Sequence, residues 1–141
     1  MADRMAVLQN GGISQLGTPR ELYDHPANRF CGSFLGDINF FEGTVADGMI
    51  TTAFGKFPLA GAVAGANCAA IRPERIRFVD AGTCGAFAAT VISGSFGGDN
   101  TQWQCEAGGV RFAVLETASP ERHSGDTVYL KFDPDFLLAM K

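Results

Sequence analysis

The chain has 141 residues, 46% of them hydrophobic and 18% charged, with a formal net charge of −4 at pH 7. This length supplies one ordinary domain, or a small domain with an appendage, and the hydrophobic share excludes a disordered chain. No cationic cluster exceeds "RPERIR", which argues against a nucleic-acid-binding protein.

Neither a membrane span nor a secretion signal is predicted. The longest charge-free run, residues 57 to 71, is too short and too rich in glycine to cross a bilayer, and "MADRMAVLQNGG" lacks the apolar core of a signal peptide. We therefore expect a cytoplasmic protein. The four cysteines show no C-x-x-C spacing, so we expect four small buried thiols rather than zinc ligands or disulfides.

The N-terminal region reads as a β-hairpin followed by a helix. "RMAVLQ", "NGG" and "ISQLG" form an apolar run, a turn signal and a second run, which predicts a hairpin over residues 4 to 16. Thr18 is suited to cap a helix, Pro19 to its first position and Glu21 to a capping box. Pro26 then ends that helix, since the residue before a proline avoids the α region.

A second short helix is predicted over "ANRFCGSFLG". Phe30, Phe34 and Leu35 would form its apolar face, and Gly36 would end it. We call residues 15 to 36, which contain both helices, the strap. The apolar sides of the strap require a partner elsewhere in the protein.

The sequence changes character at about residue 38, where short β-rich runs separated by glycine-rich turns begin. Such runs predict a barrel or sandwich, and a D-G pair marks one of the turns. The tail, "DPDFLLAMK", is compatible with one terminal helical turn. The expected inward positions of a mostly antiparallel barrel-like fold over residues 38 to 133 are Val45, Ile71, Val91, Phe112, Val114 and Val128.

No pattern in the chain supports catalysis, cofactor binding or metal binding. The glycine cluster "SGSFGGDN" lacks the lysine and hydroxyl of a phosphate-binding loop and is interpreted as a hairpin loop. His25 and His123 lie in polar turns, where solvated side chains are the simpler interpretation. Asp133 and Asp135 flank Pro134, which is typical of a turn.

The first 45 residues resemble the end of the nucleotide-binding domain of ABC-transporter ATPases, in the importer group that serves polyamines, iron and sugars. "ADR", a hairpin with an N-G turn, "GTP-x-x-LY-x-x-P-x-x-x-F" and "F-x-G" occur in the family's order. Further on, "AAIRPERIRF" and "GDTVYLKFDPDFLLAM" resemble strands of the family's C-terminal accessory domain, TOBE. The matching positions near the N-terminus are Ala2 to Arg4, Gly17 to Pro19, Leu22, Tyr23, Pro26, Phe30, Phe34 and Gly36.

This resemblance implies a mainly β fold, an oligonucleotide-binding-type TOBE barrel preceded by a hairpin and two short helices. Residues 1–37 would be a C-terminal remnant of the ATPase domain and residues 38–141 the TOBE domain. The family's Walker A lysine, Walker B acid, signature loop and switch histidine would lie upstream of Met1. The chain alone is therefore expected not to be an enzyme and to hold no cofactor, whereas the parent chain would bind ATP and Mg and hydrolyse ATP.

The resemblance also implies the partners. A second copy of the ATPase subunit and the membrane permease subunits are expected, with no nucleic acid, at the cytoplasmic side of the membrane. The implied role is regulation and dimerisation within an importer of polyamine type, with iron or sugar as open alternatives. A different class also stays open, a free-standing barrel that binds a small oxyanion.

The "RPE" motif supplies the candidate interface residues Arg72, Pro73 and Glu74. Pro73 lacks an N–H and is expected at a strand end, which keeps Arg72 extended. Arg72 would then reach a carboxylate, with Glu74 one candidate, or both charges would simply be solvated.

The hairpin carries a separate expectation. In the parent it would pack on the ATPase core, so we expect Val7, Leu8 and Ile13 to be far more exposed than Val91 or Val114.

Overall fold

A computed structural model describes residues 4–61, 63–117 and 121–141. This part of the chain is mainly β, as predicted. Its strands are β1 Met5–Gln9, β2 Gly12–Gly17, β3 Asn39–Glu42, β4 Thr44–Ala46, β5 Met49–Thr52, β6 Gly55–Pro58, β7 Cys68–Ile71, β8 Ile76–Val79, β9 Phe87–Phe96, β10 Thr101–Ala107, β11 Val110–Glu116, β12 Thr127–Phe132 and β13 Leu138–Met140. The helices are α1 Pro19–Asp24, α2 Arg29–Phe34 and a 3-10 turn, Pro73–Arg75.

The predicted hairpin is β1 paired with β2 in antiparallel register. Its turn places Asn10 at φ 52° and Gly11 at φ 79°, and Asp47 and Gly48 repeat this geometry at 55° and 73° between β4 and β5. Two successive positive φ values are what a two-residue turn needs to match the twist of its strands. Both turns therefore form for local reasons.

The remaining strands form three antiparallel sheets around one core. Their strand orders are β11-β10-β9-β12-β8, β13-β7-β3 and β4-β5-β6, and within the described ranges the pairing does not close into a ring. Of the six predicted inward residues, five are buried, and Val45 is partly buried against the same core. The predicted fold class is thus confirmed.

Phenylalanine dominates this core. The rings of Phe54, Phe57, Phe87 and Phe132 contact one another with centroids 4.8 to 6.3 Å apart, and Phe41 and Phe112 extend the group. Most pairs are tilted or edge-on, as the aromatic quadrupole favours. The high phenylalanine content therefore serves packing.

Asn39 joins two of the sheets through its side chain. Its Nδ2 donates to the Ala113 carbonyl at 2.8 Å, and its Oδ1 accepts from the Ala113 N–H at 2.9 Å. Asn39 lies on β3 and Ala113 on β11, so the amide supplies the two bonds that a paired strand would supply. A buried polar side chain is tolerated here because both of its ends are satisfied.

Two expectations about the chain's smaller features were wrong. The tail forms no helical turn, because Leu138–Met140 pairs with β7 and gains a full ladder partner, after a turn in which the Asp135 N–H donates to Asp133 Oδ1. Three cysteines are buried free thiols as expected, but Cys84 is exposed in the turn that follows β8. Among the helices of the described ranges, none has the length and hydropathy needed to cross a bilayer.

Candidate functional site

The candidate site lies where the chain leaves β7. Arg72 has an extended backbone, with φ −71° and ψ 146°, and Pro73 then opens the 3-10 turn. The proline excludes the α region for Arg72, which aims its side chain away from the core and towards the strap. Arg72 is nevertheless only 5% exposed, so it is not a solvated strand-end charge.

The Arg72 guanidinium binds backbone carbonyls of both strap helices. Its Nη1 donates to the carbonyls of Gly32, Gly36 and Asp37 at 2.8, 3.0 and 3.1 Å. Its Nε and Nη2 both donate to the Tyr23 carbonyl, at 3.3 and 3.1 Å. These acceptors lie in or just beyond the last turns of α1 and α2, where carbonyls lack intrahelical partners and a positive charge is favourable.

The expected pairing of Arg72 with a carboxylate such as Glu74 was therefore wrong. Two helix ends present several carbonyls at one point, and a guanidinium has five donors in a planar fork to satisfy them. Glu74 instead accepts a short hydrogen bond from the Tyr23 hydroxyl. The positive charge of Arg72 is therefore stabilised by backbone carbonyl dipoles and not by an ion pair with a carboxylate.

Tyr23 closes the other side of this contact. The Arg72 guanidinium carbon lies 4.1 Å from the Tyr23 ring centroid, a cation–π distance. Burial, followed by the hydrogen bond to Glu74 and the charge of that carboxylate, raises the pKa of Tyr23 to about 12. Burial also lowers the pKa of Arg72, opposed by the charges of nearby acidic groups. The site is therefore held partly out of water with its charges in fixed positions.

A glycine lets the strap come this close. A Cβ added to Gly32 would lie 3.3 Å from Ile38 Cδ1, which is closer than most Cβ contacts. It would lie 3.7 Å from the Phe40 ring, which is an ordinary van der Waals distance. Ile38 precedes β3 and Phe40 lies on it, and both pack on the same face of the β13-β7-β3 sheet. Helix α2 thus rests on that face through Gly32, whose carbonyl consequently reaches Arg72.

The apolar face predicted for α2 was assigned to the wrong side. Phe30 and Phe34 are 40% and 55% exposed, whereas Cys31 and Gly32 are buried. The short helix turns its small residues towards the sheet and the hairpin because close backbone approach is required there. Leu35, the third predicted residue, does pack against a buried cluster.

That cluster joins the hairpin to the strap. Val7 is fully buried with Leu22 and Cys31, and Met5 packs against them. The expectation that Val7 would be exposed was therefore wrong, because alternate residues of β1 face opposite sides and Val7 faces the helices. Leu8, on the other face, is 65% exposed as predicted, and Ile13 is 64% exposed.

Polar side chains fix the same junction. Gln15 donates from Nε2 to the His25 carbonyl and accepts from the Ala27 N–H at Oε1, both at 2.9 Å. Asn28 caps α2 by accepting from the Cys31 N–H, and its Nδ2 donates to the Ser14 hydroxyl at 3.0 Å. Sequence reasoning missed the contacts of Gln15 and Asn39 and the bond from Asn28 to Ser14, since these partners lie 10 to 74 positions away. The cap on α2 was a local signal, because Asn28 stands three positions before Cys31.

The profile of the TOBE domain family matches residues 69–140. The chain belongs to this family. The match begins in β7 and includes Arg72, Pro73 and Glu74, while the carbonyls that Arg72 binds lie before it. The site therefore connects the TOBE segment to the chain that precedes it.

Similar proteins extend the comparison beyond the residues of the TOBE match. The chain is 38% identical over 114 residues to spermidine/putrescine import ATP-binding protein PotA 1 of Pseudomonas aeruginosa, covering 74% of this chain and 31% of that protein. It is 31% identical to the PotA proteins of Ruegeria pomeroyi and Pseudomonas fluorescens, covering 94% and 87% of this chain and 39% and 36% of those proteins. The chain thus spans about a third of the length of these relatives.

These matches confirm the resemblance to the C-terminal portion of an ABC importer ATPase. In the part of the chain that the structure describes, no three histidine, cysteine or acidic side chains come together as a metal site. What the site can do chemically is hold two segments in register through hydrogen bonds and charge.

Proposed function

We propose that this chain is the regulatory and dimerising C-terminal portion of the ATP-binding subunit of an ABC importer, of polyamine type. Residues 1–37 would belong to the ATPase domain and residues 38–141 to the TOBE domain. Support comes from the TOBE match and from relatives that are named as spermidine/putrescine import ATP-binding proteins. The structure supports a specific way in which the two parts are coupled.

The observation that carries the proposal is the position of Arg72. It stands at the end of a TOBE strand and binds the carbonyl ends of both strap helices. The strap in turn shares a buried cluster with the hairpin. A displacement of the ATPase-side segment would therefore be passed to the TOBE sheets through rigid contacts rather than through a loose linker.

Partners and ligands follow from the same proposal. ATP and Mg would be held by the parent subunit, and this chain by itself would neither bind nor hydrolyse ATP. A second copy of the subunit and the membrane permease subunits would be its partners on the cytoplasmic side of the membrane. Calorimetric titration of the chain with Mg-ATP should give no saturable heat, and micromolar saturation would contradict this assignment.

A chimera tests the proposed role. The matching portion of the Pseudomonas aeruginosa PotA 1 protein is replaced by this chain, and uptake of labelled spermidine is measured in cells that lack the native subunit. We expect the chimera to support uptake. Arg72→Ala in the chimera should reduce uptake several-fold, because the strap loses its attachment to the TOBE sheets.

Arg111→Ala is the matched control. The Arg111 side chain is 68% exposed and pairs with Glu106 on the surface at 3.2 Å, so its loss should leave uptake unchanged. A stable, membrane-associated chimera with no uptake would contradict the transport assignment. Equal uptake by the Arg72→Ala and Arg111→Ala chimeras would contradict the coupling role alone.

A further inference from the structure

In the described ranges, one sheet edge of the TOBE segment, along the end of β9, has no neighbouring strand. Strand β12 pairs with β9 only from Phe87 to Thr90, and the backbone bonds from Val91 to Gly125 and Asp126 end that contact. From residue 93 to 96, β9 pairs with β10 and, in the described ranges, with no other strand, and Ile92 lies at the irregularity between the two parts of that pairing. The other edge of this segment therefore presents backbone groups to solvent.

The sequence of this edge lacks the features that would keep it from pairing with another strand. Residues 92 to 98 read "ISGSFGG" and contain no charged residue and no proline, the usual devices that keep sheet edges from pairing. Phe96 is 72% exposed, more than any other large hydrophobic residue described as exposed. An unprotected edge beside an exposed aromatic side chain is suited to receive another strand.

A groove runs along this edge. Its volume is about 630 Å³, within the range of ligand-binding clefts, and one side consists of Ile92, Gly94 and Phe96. Trp103 forms the floor. The opposite wall is the segment from Glu121 to Ser124, which also borders the groove.

The floor is fixed by packing and hydrogen bonds. A Cβ on Gly94 would lie 2.4 Å from the Trp103 ring, so only glycine allows the indole to lie across β9. Trp103 Nε1 donates to Glu116 at 3.0 Å, and Arg122 holds the same carboxylate through two bonds of 2.7 and 3.1 Å. The Arg122 guanidinium also lies 3.7 Å from the Phe78 ring centroid. The groove is therefore preformed.

The free charges at the wall are acidic. Arg122 is neutralised by Glu116, whereas the Glu121 side chain is 87% exposed and pairs, among the residues that the structure describes, with His123 at 3.3 Å. Asp126, which follows the wall in the chain, is 46% exposed, and its Oδ2 lies 3.8 Å from the other ring nitrogen of His123 and accepts from the His123 backbone N–H at 2.8 Å. One histidine thus stands between two carboxylates, which leaves an excess of negative charge beside an apolar floor.

We propose that this groove binds an extended peptide segment of a partner protein, one that carries basic side chains next to an apolar one, by adding a strand to β9. The backbone groups on the free side of residues 92 to 96 would supply the hydrogen bonds, and the Trp103 floor with Phe96 beside it would supply the apolar contact. The carboxylates of Glu121 and Asp126 would favour basic side chains. A second copy of this chain fits less well, because its own Glu121–Ser124 wall would accompany its β9 edge into the groove.

Trp103 is the single tryptophan of the chain and reports on the groove directly. The full chain is titrated with an acetylated, amidated pentapeptide of alternating lysine and valine while tryptophan emission is recorded. We expect a saturable change. An analogue with glutamate for lysine, and one with proline at the centre, should each bind at least about fivefold more weakly, since they lose charge complementarity and backbone bonds respectively.

Three variants locate the binding. Phe96→Ser should weaken it about tenfold, and Glu121→Lys about fivefold. Phe34→Ser is the control, because Phe34 is similarly exposed but lies on the strap. If Phe96→Ser changes the circular dichroism spectrum, the fold of that variant is altered and its weaker binding is not informative. The variant Glu121→Lys, whose side chain is well exposed, then decides whether the peptide binds in the groove.

Three results would overturn the proposal. The first is no saturable change up to millimolar peptide, and the second is binding that neither Phe96→Ser nor Glu121→Lys weakens. The third is self-association of the chain, seen by light scattering, that Phe96→Ser abolishes and the peptide does not compete with. That result would assign the edge to a second copy.

Discussion

Arg72 binds Tyr23 in two ways at once, with its guanidinium 4.1 Å from the ring centroid and with two of its nitrogens donating to the Tyr23 carbonyl. The same guanidinium reaches α2 through the Gly32 carbonyl. One side chain, at the end of a TOBE strand, thereby fixes the ends of both strap helices. The geometry needs a planar, multiply donating cation, which lysine does not provide.

The first prediction concerns the hydrogen bonds of the Arg72 guanidinium. Arg72→Ala should lower the free energy of unfolding by roughly 3 kcal/mol, because several carbonyls lose a charged donor and are left poorly solvated. Arg72→Lys should recover less than half of that loss, since an ammonium cannot span the acceptors of both helices. Denaturant unfolding measures both, with Arg111→Ala, expected to stay within about 0.5 kcal/mol of the wild type, as the control.

The second prediction concerns pH. The pKa of Tyr23 is raised to about 12, from an ordinary value of 10.0. Its contribution to stability should be complete below pH 10 and should be lost as the pH rises towards 12, because the unfolded chain releases the proton first. Tyr23→Phe should remove this part of the alkaline loss of stability.

Absorbance at alkaline pH gives a direct measurement. The chain has two tyrosines, so Tyr129→Phe leaves Tyr23 as the sole titrating phenol. Titration of that variant near the ordinary value of a solvated tyrosine would contradict the burial of Tyr23 against Arg72 and Glu74.

The third prediction separates the two faces of the hairpin. Val7→Ala should destabilise the protein by roughly 2 kcal/mol, because it opens a cavity beside Leu22 and Cys31. Leu8→Ala and Ile13→Ala should cost little, since both side chains are more than half exposed. Thermal unfolding compares the three variants, and equal losses in all of them would mean that the hairpin packs differently in solution.

The fourth prediction concerns the bond between sheets. Asn39→Ala should destabilise the protein by roughly 2 kcal/mol, because both backbone groups of Ala113 lose their partner inside the protein. Asn39→Asp, nearly the same in shape, should cost more at neutral pH, since a carboxylate would face the Ala113 carbonyl.

Protonation should relieve part of that cost, so Asn39→Asp should gain stability relative to Asn39→Ala as the pH falls towards 4. Denaturant unfolding at several pH values checks this. A constant difference between the two variants would show that the amide does not donate to Ala113.

The features that depend on neighbouring residues could be predicted from the sequence. Asn10–Gly11 and Asp47–Gly48 form the two predicted turns because positive φ values are accessible to these residues locally. Thr18 caps α1 by accepting from the Glu21 N–H, three positions away, as its spacing predicts. The mainly β fold and most of the inward residues follow from the same short-range periodicity.

Which distant residues become partners depends on how the chain folds back on itself. Arg72 finds carbonyls 35 to 49 positions away, and nothing in "RPE" distinguishes a carbonyl from a carboxylate as its acceptor. Val7 and Leu8 are equally apolar, and the position of α1 and α2 selects which of them is buried. Side-chain hydrogen bonds and burial depend on surfaces that come together after the chain has turned back, whereas turns and caps are complete within four residues.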